Sequence, residues 1–236
     1  MNERNFDNFD EFADDYRNIH NKSIKLSGAD SDYFSKYKIV ELKKLLQGSE
    51  IHDILDFGCG DGNSVVYMRE SFPIAKISGI DVSESSIAVA IERDIKNVDF
   101  RPFDGKIIPY PDDHFEIVFS SMVFHHIAHE LHQEIGEEVY RVLKPGGKFV
   151  MFEHNPLNPM TRKVVRECPF DEDAILLKPS YSRQFFQKIG LKDVNISYTI
   201  FFPRIKIFNF LVRLESMLKK VFMGAQYYVV GVKAKK

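Results

Sequence analysis

The stretch Ile54-Leu55-Asp56-Phe57-Gly58-Cys59-Gly60-Asp61-Gly62-Asn63 constrains this chain more than any other. An apolar run bounded by turn residues fits a parallel strand covered on both faces. Glycines at alternate positions then let the backbone turn tightly and let a ligand lie against bare main chain. Strand, glycine turn and helix start together make a seat for a nucleotide-like cofactor, and Asn63 or Ser64 is expected to cap a helix beginning at Val65. A dinucleotide turn would follow G-x-G-x-x-G, but Asn63 stands where the third glycine belongs. A triphosphate loop would need Gly-Lys-Ser/Thr, and no lysine lies beside this turn. An adenosine-like ligand without phosphates fits the turn better than either.

Further stations follow in order. Lys76-Ile77-Ser78-Gly79-Ile80-Asp81 reads as a second strand ending in an acid, about 20 residues past the glycines, where a carboxylate can accept both hydroxyls of a ribose. Ser83 is placed to cap a helix carrying Ile87, Ala88 and Ile91 on one side. A short strand from Val98 to Arg101 leads to Asp104-Gly105. The turn Ile108-Pro109-Tyr110-Pro111-Asp112-Asp113-His114 enters a fourth apolar strand, and Arg141-Val142-Leu143-Lys144-Pro145-Gly146-Gly147 closes a helix and enters a strand from Lys148 to Phe152.

Over residues 51–152 these stations resemble the class I S-adenosylmethionine-dependent methyltransferases, of the small-molecule, type 11-like kind. Asp56-x-Gly58-x-Gly60-x-Gly62 matches the first motif, D/E-x-G-x-G-x-G. Residues 108–118 follow L-P-F-x-D-x-S-F-D-x-V with departures at Tyr110, His114 and Glu116, and the R-V-L-K-P-G-G step is matched throughout. The resemblance implies S-adenosyl-L-methionine as cofactor, with Asp56, Gly58, Cys59, Gly60 and Gly62 shaping its loop. It implies Asp81 on the ribose, Asp104 near the adenine amine, which is a donor suited to a carboxylate, and Val82, Gly105 and Ser120 beside them. Tyr16 would close over the methionine part as a piece of a lid.

Strands near 52–57, 76–80, 98–101, 115–120 and 147–152 alternate with helical patterns, which implies an α/β fold with a doubly wound, mostly parallel sheet. The resembled Rossmann-like methyltransferase fold has seven strands. It adds a helix, here Ser182 to Ile189 stopped by Gly190, and a C-terminal antiparallel hairpin, here Val194 to Phe202 with Gln226 to Lys233. The expected organisation is an N-terminal helical lid and substrate segment over 1–47, with helices about Phe6, Phe9, Phe12 and Tyr16 and from Tyr33 to Leu46. The cofactor-binding domain follows over 48–236, carrying an insertion at 203–224.

Composition narrows the partners. A formal charge of −2 and an acidic N-terminus, with Asp7, Asp10, Glu11, Asp14 and Asp15, argue against a nucleic-acid backbone, and Ser120-Ser121-Met122-Val123-Phe124 departs from the N/D-P-P-Y/F step of adenine methyltransferases. Cys59 and Cys168 are too few and too far apart for a metal site or a disulfide framework, so no metal is expected and Cys59 reads as a small filler in the loop. The first residues lack a secretion signal and no apolar run reaches membrane-spanning length, so a cytoplasmic setting is expected. In the insertion, Ile207, Leu211, Leu214, Leu218 and Val221 recur with helical spacing beside Arg204, Lys206, Arg213, Lys219 and Lys220. Packing on the domain itself or on a twin subunit is favoured there over peripheral membrane contact.

Methyl transfer from a sulfonium needs mainly orientation and exclusion of water, so few dedicated residues are required. If the acceptor must lose a proton, the candidates lie past the fourth and fifth strands: His125, His126, Glu153 and His154, with at most one of the adjacent histidines facing the acceptor. Asn155 should border the same pocket, and Pro156 and Pro159 should stiffen the loop after it. The expected partner is a small-molecule acceptor. The rival readings are a non-catalytic or membrane-associated cofactor-binding module and, less favoured, a nucleotide-dependent oxidoreductase.

Overall fold

The computed structural model describes residues 30–168, 174–202 and 214–235. Tyr16 and the rest of the proposed lid before residue 30 lie outside the described residues, as do positions 203–213 of the insertion. The chain begins with α1 (Ser31–Leu45), whose first turn is capped by Asp30, the carboxylate accepting from Tyr33 N–H at 2.8 Å. Then follow β1 (Asp53–Phe57), α2 (Asn63–Ser71), β2 (Lys76–Asp81), α3 (Glu84–Glu92), β3 (Val98–Pro102) and β4 (Phe115–Ser121). The second half contains α4 (His132–Val142), β5 (Leu143–His154), α5 (Pro159–Arg166), α6 (Pro179–Lys188), β6 (Lys192–Thr199), α7 (Glu215–Leu218) and β7 (Gln226–Val232).

The strands form one seven-stranded sheet in the order β3-β2-β1-β4-β5-β7-β6. The pairs from β3 through to β5 are parallel, and β7 enters antiparallel between β5 and β6. Neighbouring residues of each central strand face opposite sides. Leu55, Phe57, Val118, Phe149 and Met151 pack with Ile135 and Val139 of α4 and with Phe185 and Phe186 of α6. Ile54, Ile117, Phe119, Val150 and Phe152 pack with Ile39 and Leu42 of α1, Val65 and Met68 of α2 and Ile87 of α3. Burial on both faces explains why these strands read as continuous apolar runs. Asp56 shares its face with Ile54 and so lies on the side covered by α1, α2 and α3.

Several local expectations change. The helix after the glycine turn starts at Asn63, with Gly62 as its left-handed cap and no side-chain cap. Asn63 instead donates its side-chain amide to Ser35 Oγ at 3.0 Å, which ties α2 to α1. Ser83 does cap α3, accepting from Ser86 N–H at 3.1 Å, but the buried positions are Ile87 and Ala90, while Ala88 and Ile91 face out. Pro159 opens a helix rather than stiffening a loop, for it sits in the first turn of α5 behind the cap Asn158. β5 begins at Leu143, earlier than the glycine pair implied. In the described part of the insertion the helical spacing yields only Glu215–Leu218, and Leu214 and Val221 are exposed.

Candidate active site

The order β3-β2-β1-β4 reverses its direction of growth between β1 and β4, and the carboxyl ends of strands at such a switch point are where open α/β sheets place ligands. The glycine turn lies there. Gly58 has φ +73°, and a Cβ on it would come within 2.3 Å of Val123 Cγ2, so only glycine fits beneath the segment leaving β4. Gly60 has φ +51°, and a Cβ built on it would meet nothing within 4 Å. Bare backbone therefore borders open space at Gly60. Cys59 between them is buried, its thiol 3.6 Å from Gly60 O, and burial pushes the thiol well above its ordinary pKa.

Two carboxylates flank the turn in different states. Asp81, at the end of β2, accepts from Gly60 N–H at 2.8 Å through Oδ2 and from Ser83 N–H at 3.0 Å through Oδ1. It thus joins the glycine turn to the start of α3, with Val82 half-buried beside it. Asp56, at the end of β1, is 1% exposed, and its Oδ2 has no hydrogen-bond partner. Burial, reinforced by the negative charge of Asp81 and partly offset by Lys38, pushes its carboxyl up to about 8. A third acid, Asp61, is held by Arg93: the guanidinium reaches Asp61 Oδ2 at 2.6 Å and also the Asp61 carbonyl, which fastens the turn to the end of α3.

Past β3, Asp104 is exposed and caps its own turn, accepting from Lys106 N–H and Ile107 N–H at 2.9 Å. These two amides hold its carboxyl below the usual range. Gly105 follows with φ +75°. The loop is pinned to α4 by Arg141, which donates to the carbonyls of Ile108 and Tyr110, to Asp112 and, through two nitrogens, to Glu138. The arginine of the R-V-L-K-P-G-G step is therefore a strut for the segment carrying Asp104.

At the ends of β4 and β5 the titratable residues converge. Ser120 is fully buried, its Oγ without a hydrogen-bond partner. Met122 takes φ +61° just beyond β4, where the chain turns away from the sheet. Glu153 is fully buried and accepts from Phe124 N–H at 3.0 Å and pairs with His125 Nδ1 at 2.6 Å. The His126 ring lies 4.1 Å from that of His125, and the His154 ring 5.4 Å from it. His125 is 1% exposed and His126 is half-buried, so of the adjacent pair only His126 has access to solvent. Asn155 is committed elsewhere: its side-chain amide donates to the carbonyls of Phe222 and Gly224, and its oxygen accepts from Leu157 N–H, so it clamps the segment before β7 rather than lining a pocket.

Sequence reasoning missed Lys38. It projects from α1, is 6% exposed, and donates from Nζ to Ser121 Oγ at 2.8 Å. Burial, offset by Glu153 and Asp56, lowers its ammonium to about 8. The signal was its spacing: Lys38 lies one helical turn from both Phe34 and Leu42, on the inward stripe of α1. Among the described residues no group of His, Cys, Asp and Glu is arranged to hold a metal ion, and no helix is long and apolar enough to cross a membrane.

A sequence family described as a methyltransferase domain matches residues 55–151. Phosphoethanolamine N-methyltransferase 1 of Arabidopsis thaliana is 32% identical over 120 residues, covering 50% of this chain and 23% of that protein. The 27-O-demethylrifamycin SV methyltransferase of Amycolatopsis mediterranei is 31% identical over 103 residues, covering 42% of this chain and 37% of that protein. The match thus spans well under half the length of either relative. A crystal structure of a SAM-dependent methyltransferase from Archaeoglobus fulgidus superposes with a TM-score of 0.66 at 18% identity, covering 90% of this chain and 98% of that one, which speaks to the fold alone. Residues 55–151 thus match a methyltransferase-domain family, and they are set in a seven-stranded sheet whose fold the Archaeoglobus fulgidus SAM-dependent methyltransferase shares.

Proposed function

We propose that the chain is an enzyme that binds S-adenosyl-L-methionine at the glycine turn and transfers its methyl group to a small-molecule acceptor. The observation that carries this reading is the open space over Gly60, with Asp81 bonded to the Gly60 amide beside it. A site for a nucleoside needs a main chain it can approach closely and an anionic partner for a diol, and both stand there. The buried Asp56 oxygen without a partner supports an occupant that supplies a hydrogen-bond partner on the other side of the turn. When bound, the cofactor supplies an electrophilic methyl on a sulfonium. Asp56, Gly58, Cys59, Gly60 and Gly62 form its cradle in this reading, Asp81 and Val82 its ribose contact, Asp104 and Gly105 its adenine end, and Ser120 the floor by β4. Tyr16 belongs to the proposed lid.

His126 and His154 are the bases of choice for an acceptor proton, since both flank the His125–Glu153 pair at the ends of β4 and β5. Glu153 enters as a positioning residue, its carboxylate already engaged by Phe124 N–H and His125. An acceptor with an apolar portion is favoured by the exposed side chains beside this end of the sheet: Leu157, Met160, Phe222 and Met223. Peripheral contact with a lipid surface through 203–224 is the secondary proposal that these side chains permit.

The test is binding of S-adenosylhomocysteine by calorimetry, with NAD as the competing ligand, followed by transfer of a labelled methyl group to acceptors in a cell extract. Asp81→Asn should weaken S-adenosylhomocysteine by about 10-fold or more, the scale of a charged hydrogen bond, while the circular dichroism spectrum is unchanged. Unaltered affinity in that variant, or preference of the wild type for NAD, refutes the assignment.

A further inference from the structure

Thirteen large apolar side chains are exposed among the described residues, and seven of them lie in two short segments, 157–160 and 214–223. Hydrogen bonds make the two segments one surface. Asn155 donates its side-chain amide to the carbonyls of Phe222 at 2.8 Å and Gly224 at 2.7 Å, while its oxygen accepts from Leu157 N–H at 3.1 Å. Asn158 joins the next pair, donating to the Met223 carbonyl at 2.6 Å and accepting from Met160 N–H at 2.9 Å. Leu157 and Met160 therefore stand beside Phe222 and Met223 on a backbone fixed by side-chain amides, and Val221 and Met217 continue the exposed row. The first segment follows β5 and the second precedes β7, so the patch lies at the carboxyl end of β5, the edge of the sheet that also holds the glycine turn. Clustered apolar side chains of this kind mark a surface that something covers.

Charge says what covers it. Over 155–168 and 214–225 five bases stand against two acids. Arg162, Lys163, Arg166 and Lys220 are exposed, whereas Glu215 is buried and accepts from Phe201 N–H and Phe202 N–H. By sequence, positions 169–173 and 203–213 add three acids and three bases, which leaves the balance unchanged. The whole chain carries −2, so the rest of it is negative and this edge is the one drawn to an anionic surface. Two copies meeting face to face through the patch would bring like charges together, which opposes a self-complementary contact. Met217 at 79% and Met160 at 63% exposure project outward, and flexible, unbranched side chains of this kind suit a fluid layer.

Extending the lipid contact given above as the secondary reading, and resting on it, we propose that α5 and the turn before β7 form one docking surface for an anionic lipid bilayer. Leu157, Met160, Phe222 and Met223 enter the boundary between headgroups and chains, and Arg162, Lys163, Arg166 and Lys220 meet the phosphates. Docked in this way, the chain turns the carboxyl edge of its sheet toward the bilayer.

The test is co-sedimentation of the full chain with vesicles of phosphatidylcholine alone and of phosphatidylcholine mixed with phosphatidylglycerol. The mixed vesicles should bind about 10-fold or more tightly than the neutral ones, the scale of a few basic residues near a charged surface, and added salt should release the protein. Phe222→Ser with Met223→Ser should lower binding to the mixed vesicles about 10-fold, and so should Arg162→Glu with Lys220→Glu. Should the first pair not fold, Met160→Ser with Met217→Ser replaces it. Ile74→Ser removes an equally exposed side chain just before β2, at the amino edge of the sheet, and should bind as the wild type does. Binding to neither vesicle, equal binding to both, full binding by either pair of variants, or an equal loss in Ile74→Ser each overturns the proposal. A salt-resistant dimer that Phe222→Ser with Met223→Ser dissociates would assign the patch to a second copy and overturn it as well. Vesicle binding needs no methyl donor, so its failure leaves the cofactor assignment standing, and failure to bind S-adenosylhomocysteine leaves the docking surface standing.

Discussion

Asp81 gives one oxygen to the Gly60 amide and the other to the Ser83 amide, whereas Asp56, one strand away, keeps an oxygen with no donor and is raised from 3.8 to about 8 by burial and by Asp81. Between those values the folded chain holds a proton that the unfolded chain has lost, so rising pH lowers stability across that window. Lys38, lowered from 10.5 to about 8, has the opposite sign: above about 8 the unfolded chain holds the extra proton and stability recovers with pH. Asp56→Asn removes the first of these contributions. Its melting temperature relative to the wild type should rise steadily from the acid end of the window to about pH 8, and a constant difference would exclude the effect. The acid at Asp56 was legible as part of a glycine motif, but its state was not. A carboxyl shift depends on what covers the strand, and the cover here comes from α1 and β2, which no local pattern connects. Lys38 escaped notice for the same reason, since one charged residue on an apolar helical stripe reads as an interruption until its partners are seen.

At the level of the element, the glycine turn separates two demands that look identical in sequence. Gly58 lacks a side chain because Val123 occupies the space, and Gly60 lacks one although the space is open. Gly58→Ala should therefore destabilise the fold by more than the roughly 1 kcal/mol expected for a left-handed alanine alone, through a clash that Val123 cannot relieve cheaply. Gly60→Ala should cost about that 1 kcal/mol and no more, yet weaken S-adenosylhomocysteine strongly, its methyl projecting where the ligand is proposed to lie. Thermal unfolding and calorimetry on the two variants check this contrast; equal losses of stability, or full affinity in Gly60→Ala, would contradict it. The strand and turn themselves were readable because glycine at positive φ is a local requirement. Helix limits were less so: α2 begins at Asn63 because Gly62 bends into it without a side-chain cap, and Asn63 is recruited by Ser35 of α1. The roles of Arg93 and Arg141 likewise emerged only with the structure, for each bonds across the chain to a loop it does not adjoin in sequence.

Over the whole molecule, the alternation of apolar strands with helical patterns carried the parallel part of the sheet, because burial on both faces writes itself as unbroken apolar runs. The antiparallel entry of β7 did not follow from any pattern. Gln226–Val232 is almost wholly buried and would suit either direction, so only the resemblance to a family anticipated it. The two faces of the sheet are filled separately, Phe149 stacking on Phe186 at 4.6 Å on one side and Phe119 meeting Phe152 at 5.7 Å on the other. Within this body both thiols are covered, Cys59 in the turn and Cys168 just past α5. Thiolate is the reactive form and burial makes it scarce at Cys59, so alkylation there must wait for the turn to lift. The chain consequently contains its own stopwatch: saturating S-adenosylhomocysteine should slow an alkylating reagent at Cys59 far more than at Cys168, and equal slowing would mean that both sulfurs answer to global unfolding alone.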